Sequence, residues 1–265
     1  MTLPSGGVRV DAIRYGSLEM ARSRFFYDYA SYGEADGVME MDYLFFIVRS
    51  ADETLLVDCG FDPDVARRRG RTPIVTAAEG LAELGVRPDD VDGILVTHFH
   101  YDHVGNLTAF PNARLLAQAR ELEFWSGPVA RRRRFMDVAE PAELGLLDDA
   151  FFDGRLELVD GTAEISPFVT VELAGGHTPG QQIVRVAVGP NEIVLASDAL
   201  HCYEEMDRDR PFSLFSDLVG TYAAFDRLRA LEDSGARIVA GHDPLVRARF
   251  AEVRTGGSEV VIAIA

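Results

Sequence analysis

Hydrophobic and polar positions follow two different periods along this chain. Short apolar runs that end at Gly, Pro or Asp are typical of buried strands, whereas apolar residues spaced three and four apart are typical of helices. This pattern predicts helices at 74–84, 119–125 and 218–233. It predicts strands at 8–13, 43–49, 54–58, 93–96, 113–117, 156–159, 169–173, 182–188, 193–196 and 237–240, with a β-prone tail at 260–265. Strands and helices that alternate in this way predict an α/β protein.

One segment, residues 126–149, departs from this plan. It is polar, mixed in composition and weakly periodic, and we interpret it as a cap or an insertion. The chain of 265 residues is long enough to bury a full hydrophobic core. We therefore predict a single domain over 1–265, with the possible cap within it.

The composition is that of an ordinary soluble protein, with 47% hydrophobic and 26% charged residues. No apolar run approaches the roughly 20 residues that span a bilayer. Residues 1–7 lack a basic start and an apolar stretch, so we expect no secretory signal. The two cysteines, Cys59 and Cys202, form no CxxC pair, and the predicted compartment is the reducing cytoplasm.

The net charge of −17 argues against nucleic acid or an anionic membrane surface as the main partner. Every basic residue of the chain is arginine, which excludes Schiff-base chemistry and a lysine-bearing phosphate loop. The one basic block is 131–134, four consecutive arginines. It is either a solvated face or a rim that attracts an acidic substrate.

A cluster of histidines follows the predicted strand 93–96. Three of the six histidines of the chain fall in the run Thr97-His98-Phe99-His100-Tyr101-Asp102-His103. Because side chains alternate along an extended chain, His98, His100 and Asp102 converge from one side, and His103 joins them where the chain turns. Imidazoles and a carboxylate that face one space need a positive charge between them, which predicts a divalent metal.

Four more polar candidates lie at the ends of predicted strands, namely Asp58, His177, Asp198 and His242. Loops gather at the strand ends of a sheet, and sites are usually built there. The candidate ligands are then His98, His100, Asp102, His103, His177, Asp198 and His242. Seven nitrogen and oxygen ligands are too many for one tetrahedral zinc but suit a pair of metals, with Asp198 as the natural bridge.

The order of these motifs resembles that of the metallo-β-lactamase superfamily. The run His98-x-His100-x-Asp102-His103, the later His177, Asp198 and His242, and the turn Val57-Asp58-Cys59-Gly60 carry the resemblance, which spans about 43–242. Three segments are most similar to the N-acyl homoserine lactone hydrolases: Met41-Asp42-Tyr43-Leu44-Phe45-Phe46, Asp102-His103-Val104-Gly105-Asn106 and Gly176-His177-Thr178-Pro179-Gly180. The resemblance implies a four-layer αβ/βα sandwich of two mixed β-sheets flanked by helices.

The resemblance also implies a role for each candidate. One metal would be held by His98, His100 and His177, and the second by Asp102, His103 and His242. Asp198 would bridge the two metals, and Asp58 would orient a ligand histidine. Zinc is the expected metal, although iron, manganese and cobalt suit the same ligands.

The implied reaction is the hydrolysis of a lactone in a small acyl substrate, as in quorum quenching. A hydroxide that bridges the metals would attack the ester carbonyl, one metal would stabilise the oxyanion, and the other would hold the leaving ring oxygen. Asp102 or Asp198 would carry the proton. Other acyl substrates remain open, among them a thioester, an amide or a carbamate, and so does a metal-stabilised binding protein without turnover.

One position departs from the lactonases, which have a tyrosine three residues after the bridging aspartate. This chain has His201 there, in Asp198-Ala199-Leu200-His201-Cys202-Tyr203. Histidine can also donate a hydrogen bond to an oxyanion, and Tyr203 is a second candidate for that contact.

The aromatic residues of the N-terminal region have three interpretations, which are core packing, the lining of an acyl pocket, or the surface of a homodimer. They are Phe25, Phe26, Tyr27, Tyr29 and Tyr32.

Overall fold

The hydrophobic strands of the chain assemble into two β-sheets in the computed structural model, which describes residues 7–250 and 258–265. The strands are β1 Arg9–Ala21, β2 Val38–Arg49, β3 Thr54–Val57, β4 Thr72–Pro73, β5 Gly93–Leu95, β6 Arg114–Gln118, β7 Leu156–Val159, β8 Thr162–Ser166, β9 Val169–Leu173, β10 Gln182–Val188, β11 Asn191–Ser197, β12 Arg237–Ala240 and β13 Val261–Ala263. The first sheet has the order β13-β1-β2-β3-β5-β6-β7, with β4 beside β1, and the second has the order β12-β11-β10-β9-β8.

Both sheets are mixed. In the first sheet β1 and β2 pair antiparallel, whereas β3, β5, β6 and β7 run parallel. In the second sheet β11 and β12 are parallel and the other pairs are antiparallel. Buried side chains of both sheets, such as Phe46 and Val57 from the first and Val184 and Leu195 from the second, share one hydrophobic cluster. The two sheets therefore pack face to face.

Helices flank this pair of sheets. They are α1 Arg22–Phe25, α2 Pro63–Arg68, α3 Ala77–Glu83, α4 Tyr101–Val104, α5 Ala119–Ser126, α6 Arg133–Met136, α7 Pro141–Phe152, α8 Tyr203–Arg208, α9 Leu218–Asp233 and α10 Leu245–Arg249. Buried residues of α3, α5 and α7 join a second hydrophobic cluster with the first sheet. Phe225 and Leu228 of α9 pack with the second sheet instead. Among the described residues, no helix combines the length and apolarity needed to cross a membrane.

The predicted strands are present, but β1 and β2 are longer than the hydrophobic pattern indicated. They pair from Arg9–Arg49 to Ala21–Val38, with an irregularity between Arg14 and Gly16. The outer halves of these strands are only partly buried, so their composition is mixed and gives a weak signal. The short edge strand β8 was missed for the same reason, since none of its residues is fully buried.

The segment 126–149 contains α6 and most of α7. Leu144 and Leu147 of α7 are buried in the cluster of the first sheet, so this part packs as a core helix rather than as a polar loop. The organisation into one domain with a cap stays a prediction. The predicted absence of a secretory signal concerns residues 1–7, of which residues 1–6 lie outside the described residues.

Candidate active site

The candidate polar residues come together at one edge of the sandwich because each follows the carboxyl end of a strand. Asp58 follows β3, and the histidine run 98–103 follows β5. His177, Asp198 and His242 follow β9, β11 and β12. All eight predicted residues at these five positions are buried.

Asp198 lies at the centre of the cluster. Its Oδ1 is 3.0 Å from Nε2 of His242 and 3.3 Å from Nε2 of His103. Its Oδ2 is 3.3 Å from Nε2 of His177 and 3.8 Å from Nε2 of His98. One carboxylate thus faces imidazoles on both of its oxygens, which is the geometry of a bridging ligand.

The potential ligand atoms around Asp198 form two groups, one of which includes Asp198 itself. The first contains His98, His100, His177 and Asp198, and the second contains Asp102, His103 and His242. Within each group the atoms lie within 4.8 Å of one another.

In the first group, Nδ1 of His100 is 2.9 Å from Nε2 of His98 and 3.0 Å from Nε2 of His177. In the second, Nε2 of His103 is buried without a hydrogen-bond partner among the described residues. Ring nitrogens that converge in this way fit a cation between them, so the residues are suited to a pair of divalent metals.

The electrostatics of the first group favour neutral imidazoles. Burial lowers the pKa of His98 and His100 well below the ordinary value, and neighbouring imidazoles lower it further. Burial likewise lowers the pKa of His177 to about 3. Only the neutral form of histidine binds a metal, so these rings are poised to act as ligands.

The second group is richer in negative charge. Burial disfavours a charge on His103, but the carboxylates of Asp198, Asp58 and Asp102 outweigh this effect and raise its pKa well above the ordinary value. Burial also opposes a charge on Asp198, but His103 and His242 outweigh it and hold the pKa of that carboxyl low. Three carboxylates around one imidazole stabilise positive charge at this point, whether from a proton or from a metal.

The outer nitrogens of the candidate ligands have fixed acceptors. Nδ1 of His103 lies 2.7 Å from Oδ2 of Asp58, so the predicted contact of Asp58 with a ligand histidine is present. Nδ1 of His177 faces the Leu214 carbonyl at 3.0 Å, and Nδ1 of His242 faces the backbone carbonyl of Asp42 at 2.9 Å. Such acceptors fix the proton on Nδ1 and direct the Nε2 lone pair inwards.

Asp58 is itself held by hydrogen bonds. Its carboxylate accepts from the backbone N–H and the hydroxyl of Thr97, each at 2.8 Å. Its backbone has a φ of 64°, in the left-handed region that aspartate and asparagine adopt more readily than most residues. The turn at the end of β3 therefore aims this side chain at His103.

A buried carboxylate that the sequence pattern missed is Glu121 in α5. It accepts hydrogen bonds from the backbone N–H groups of Phe99 and Gly180, from the Thr178 hydroxyl and from the Trp125 indole, at 2.7–3.0 Å. It thereby ties the loop after β5 to the loop after β9, and these two loops carry the three histidines of the first group. Its place on the buried side of α5, four residues before Trp125, was the available signal.

His201 lies beside the bridging position, with Nε2 3.1 Å from Oδ2 of Asp198. Its Nδ1 is 3.2 Å from Oε2 of Glu205, which also accepts from the backbone N–H of His201. The Phe212 ring packs over the imidazole, with the centroids 4.0 Å apart. Burial disfavours a charge on His201, but the carboxylates of Asp198 and Glu205 outweigh it and raise its pKa to about 10.

The structure corrects the interpretation of Tyr203. Its hydroxyl donates to the backbone carbonyl of Ile238 at 3.1 Å, and its ring lies under the Arg249 guanidinium. Tyr203 is the first residue of α8, and the helix turns its side chain towards β12 and away from Asp198. His201 therefore faces the site, whereas Tyr203 does not.

A pocket of about 70 Å³ opens onto the cluster. We call the polar residues at its base the floor, namely His100, Asp102, His177, Asp198, His201 and His242. We call the remaining lining the wall, namely Leu18, Met20, Met41, Tyr43, Arg71, Tyr101, Val138, Phe212 and Leu214. Of the N-terminal aromatic residues, Phe25, Phe26 and Tyr29 are buried in a third hydrophobic cluster that includes Met41 of the wall; they pack behind the wall and do not line the pocket.

A family model for the metallo-β-lactamase superfamily matches residues 43–242. The chain belongs to this superfamily. It is 30% identical over 186 residues to the N-acyl homoserine lactonase AttM of Azorhizobium caulinodans. This match covers 65% of this chain and 67% of the relative. It is 26% identical over 233 residues to the AttM lactonase of Rhizobium johnstonii, covering 80% of this chain and 85% of that protein.

Solved structures confirm the predicted fold. The dizinc quorum-quenching lactonase AidC, in complex with a product, has a TM-score of 0.74 at 20% identity, covering 99% of this chain and 95% of AidC. An AiiA mutant from B. thuringiensis, with N-decanoyl-L-homoserine bound at the active site, has a TM-score of 0.72 at 20% identity. That match covers 98% of this chain and 100% of AiiA. The two mixed sheets and their flanking helices are therefore those of the superfamily.

Proposed function

We propose that this protein is a metal-dependent lactonase that hydrolyses an N-acyl homoserine lactone or a similar cyclic ester. The observation that carries this proposal is a pair of ligand groups beside a pocket: Asp198 belongs to the first group, and its Oδ1 also faces His103 and His242 of the second. The similarity to lactonases of two rhizobial species supports the substrate class. The net charge of −17 also favours a small molecule over nucleic acid or an anionic membrane as the partner.

Two divalent cations would be held by the two ligand groups, with zinc as the proposed metal. His98, His100 and His177 would hold one, Asp102, His103 and His242 the other, and Asp198 both. When bound, such a pair of cations lowers the pKa of a shared water and polarises the ester carbonyl. Asp58 would keep the His103 ring in the orientation and tautomer that this requires.

His201 would contact the substrate carbonyl in place of the lactonase tyrosine. Glu205 holds the ring through Nδ1, and Nε2 faces the floor of the pocket, where the protonated ring would present an N–H donor. An oxyanion that develops at the ester carbon would be stabilised by this donor. Asp102, which lies at the edge of the floor and is 8% exposed, would pass a proton to the leaving ring oxygen.

The cytoplasm is the proposed location, because both cysteines are free and buried. A homodimer is a further proposal. Of the N-terminal aromatic residues, Tyr27 is 43% exposed and available to its surface, whereas Phe25 and Phe26 are buried within the chain.

The deciding experiment measures metal content and ring opening on the same purified protein. We expect about two metals per chain by elemental analysis and opening of acyl homoserine lactones, followed as acid release. Chelation should abolish the activity and added zinc should restore it. A panel of thioesters, amides and carbamates is the matched comparison. Full lactone turnover by metal-free protein, or turnover of another ester class alone, would contradict the proposal.

A further inference from the structure

Arg71 is a charged residue in the otherwise mostly apolar wall of the pocket. Its Nε–H donates to the hydroxyls of Tyr101 at 2.8 Å and Tyr43 at 3.2 Å, and Nη1 donates to the backbone carbonyl of Arg69. These contacts use two of the five N–H groups of the guanidinium. The other three have no partner among the described residues, and the side chain borders the cavity.

The charge of Arg71 has no carboxylate within 4.0 Å in the described part of the chain, although acidic residues outnumber arginines by 43 to 26. Two arginines close to Arg71 in sequence do have a carboxylate partner. Arg68 and Arg69 both pair with Glu140, at 2.9 and 2.7 Å. Tyr43 offers no counter-charge, because burial raises its pKa to about 12 and keeps it neutral. The hydrogen-bond partners of Arg71 are all neutral, and the carboxylate of Asp102 acts on its charge only from beyond 4.0 Å. A half-buried guanidinium with N–H groups to spare can take an anion as a further partner.

A second observation points the same way. The basic block 131–134 is exposed, and Nη2 of Arg134 donates to the carbonyl of Ser213, the residue before Leu214 of the wall. Of the four arginines, Arg133 alone has a carboxylate within 4.0 Å among the described residues, Asp137 at 3.5 Å. Arg134 thus adds positive charge beside the segment that carries one wall residue, in a chain whose net charge is −17. Positive charge near the wall attracts anions.

We propose that Arg71 forms an anion subsite, and that the preferred substrate is a lactone whose short acyl group ends in a carboxylate. This inference rests on the proposed lactonase function. The guanidinium edge is suited to a two-point contact with a planar carboxylate. The apolar wall residues Leu18, Met20 and Val138 would contact the methylene groups between the carboxylate and the reacting ester.

The test compares two lactones of equal chain length, N-pentanoyl homoserine lactone and N-glutaryl homoserine lactone. In the second, a carboxylate replaces the terminal methyl group of the acyl chain. We expect the enzyme to favour the glutaryl lactone in kcat/KM by about tenfold or more, the usual value of a charge-assisted hydrogen bond. Arg71→Met should remove this preference, and Arg71→Lys should retain part of it. The matched control is Arg68→Met, an equal loss of charge three residues away that should leave the ratio unchanged.

A binding measurement separates failure of this inference from failure of the proposed function. Calorimetry with the two ring-opened products needs no turnover, and the glutaryl product should bind about tenfold more tightly, with the difference lost in Arg71→Met. Equal affinities in the unaltered protein, or a difference that survives Arg71→Met, would overturn the subsite. If neither lactone is opened but the difference in affinity persists, the anion subsite stands and the lactonase proposal fails.

Discussion

The floor and the wall of the pocket are built in different ways. Each floor residue lies at or near the carboxyl end of a strand, where β5, β9, β11 and β12 meet at one edge. The wall comes from six pieces: the outer halves of β1 and β2, the start of α4, the loop before β4, the segment after α6, and the loop after α8. In the proposed function, strand ends of the sandwich would carry the chemistry, and the outer strand halves and connections around them would contact the substrate.

This difference means that the two parts can change independently. The proposed metal ligands lie together at and beneath the floor, whereas His201 stands where the resemblance implies a tyrosine, and Arg71 brings a charge into the wall. Substitutions in the floor should therefore affect every substrate equally. Substitutions in the wall should instead change the ratio of kcat/KM between one substrate and another.

The largest effect is expected from Asp198→Asn. The amide keeps the shape of the side chain but removes the charge between the two ligand groups, so kcat should fall by about a thousandfold or more for every lactone. Elemental analysis should show fewer than two metals per chain. The control is Asp52→Asn, an exposed position far from the ligands. Retention of both metals and most of the activity would refute the bridging role.

A smaller loss, about 10- to 100-fold in metal affinity, is expected from Asp58→Asn. Asparagine tolerates the left-handed backbone at this position, so the change tests the charge on His103 rather than the turn. Competition with a chelator measures the affinity, again with Asp52→Asn alongside. Unchanged affinity would show that Asp58 supports the turn alone.

The smallest effect is expected in the wall, from Phe212→Leu. It removes the ring packed on His201 and should raise KM by about threefold to tenfold, because aromatic contacts contribute roughly 0.5–1.5 kcal/mol beyond burial. Steady-state kinetics on short and long acyl lactones would show a different change for each. A uniform loss of a hundredfold or more would instead assign Phe212 to the machinery of the floor.

Part of the support for the floor had only a weak local signal. Glu121 and Glu205 fix loops through buried hydrogen bonds, and each reads in the sequence as an ordinary helical glutamate. Tyr203 shows the opposite error. Its spacing from Asp198 suggested a contact with the substrate, but the start of α8 turns its side chain away from the site. Spacing along the chain predicts proximity in extended segments but not across the start of a helix.

The sequence by itself determined the types of the candidate ligands, their order and their places after strands. Metal chemistry requires particular side chains, and strand ends have a recognisable hydrophobic pattern. Only the tertiary structure decided which buried carboxylate forms hydrogen bonds with which loop. It also decided that Arg71 reaches the pocket and that His201 rather than Tyr203 faces Asp198. These contacts join residues far apart in the chain, and a buried partner is selected by packing in three dimensions rather than by its neighbours in sequence.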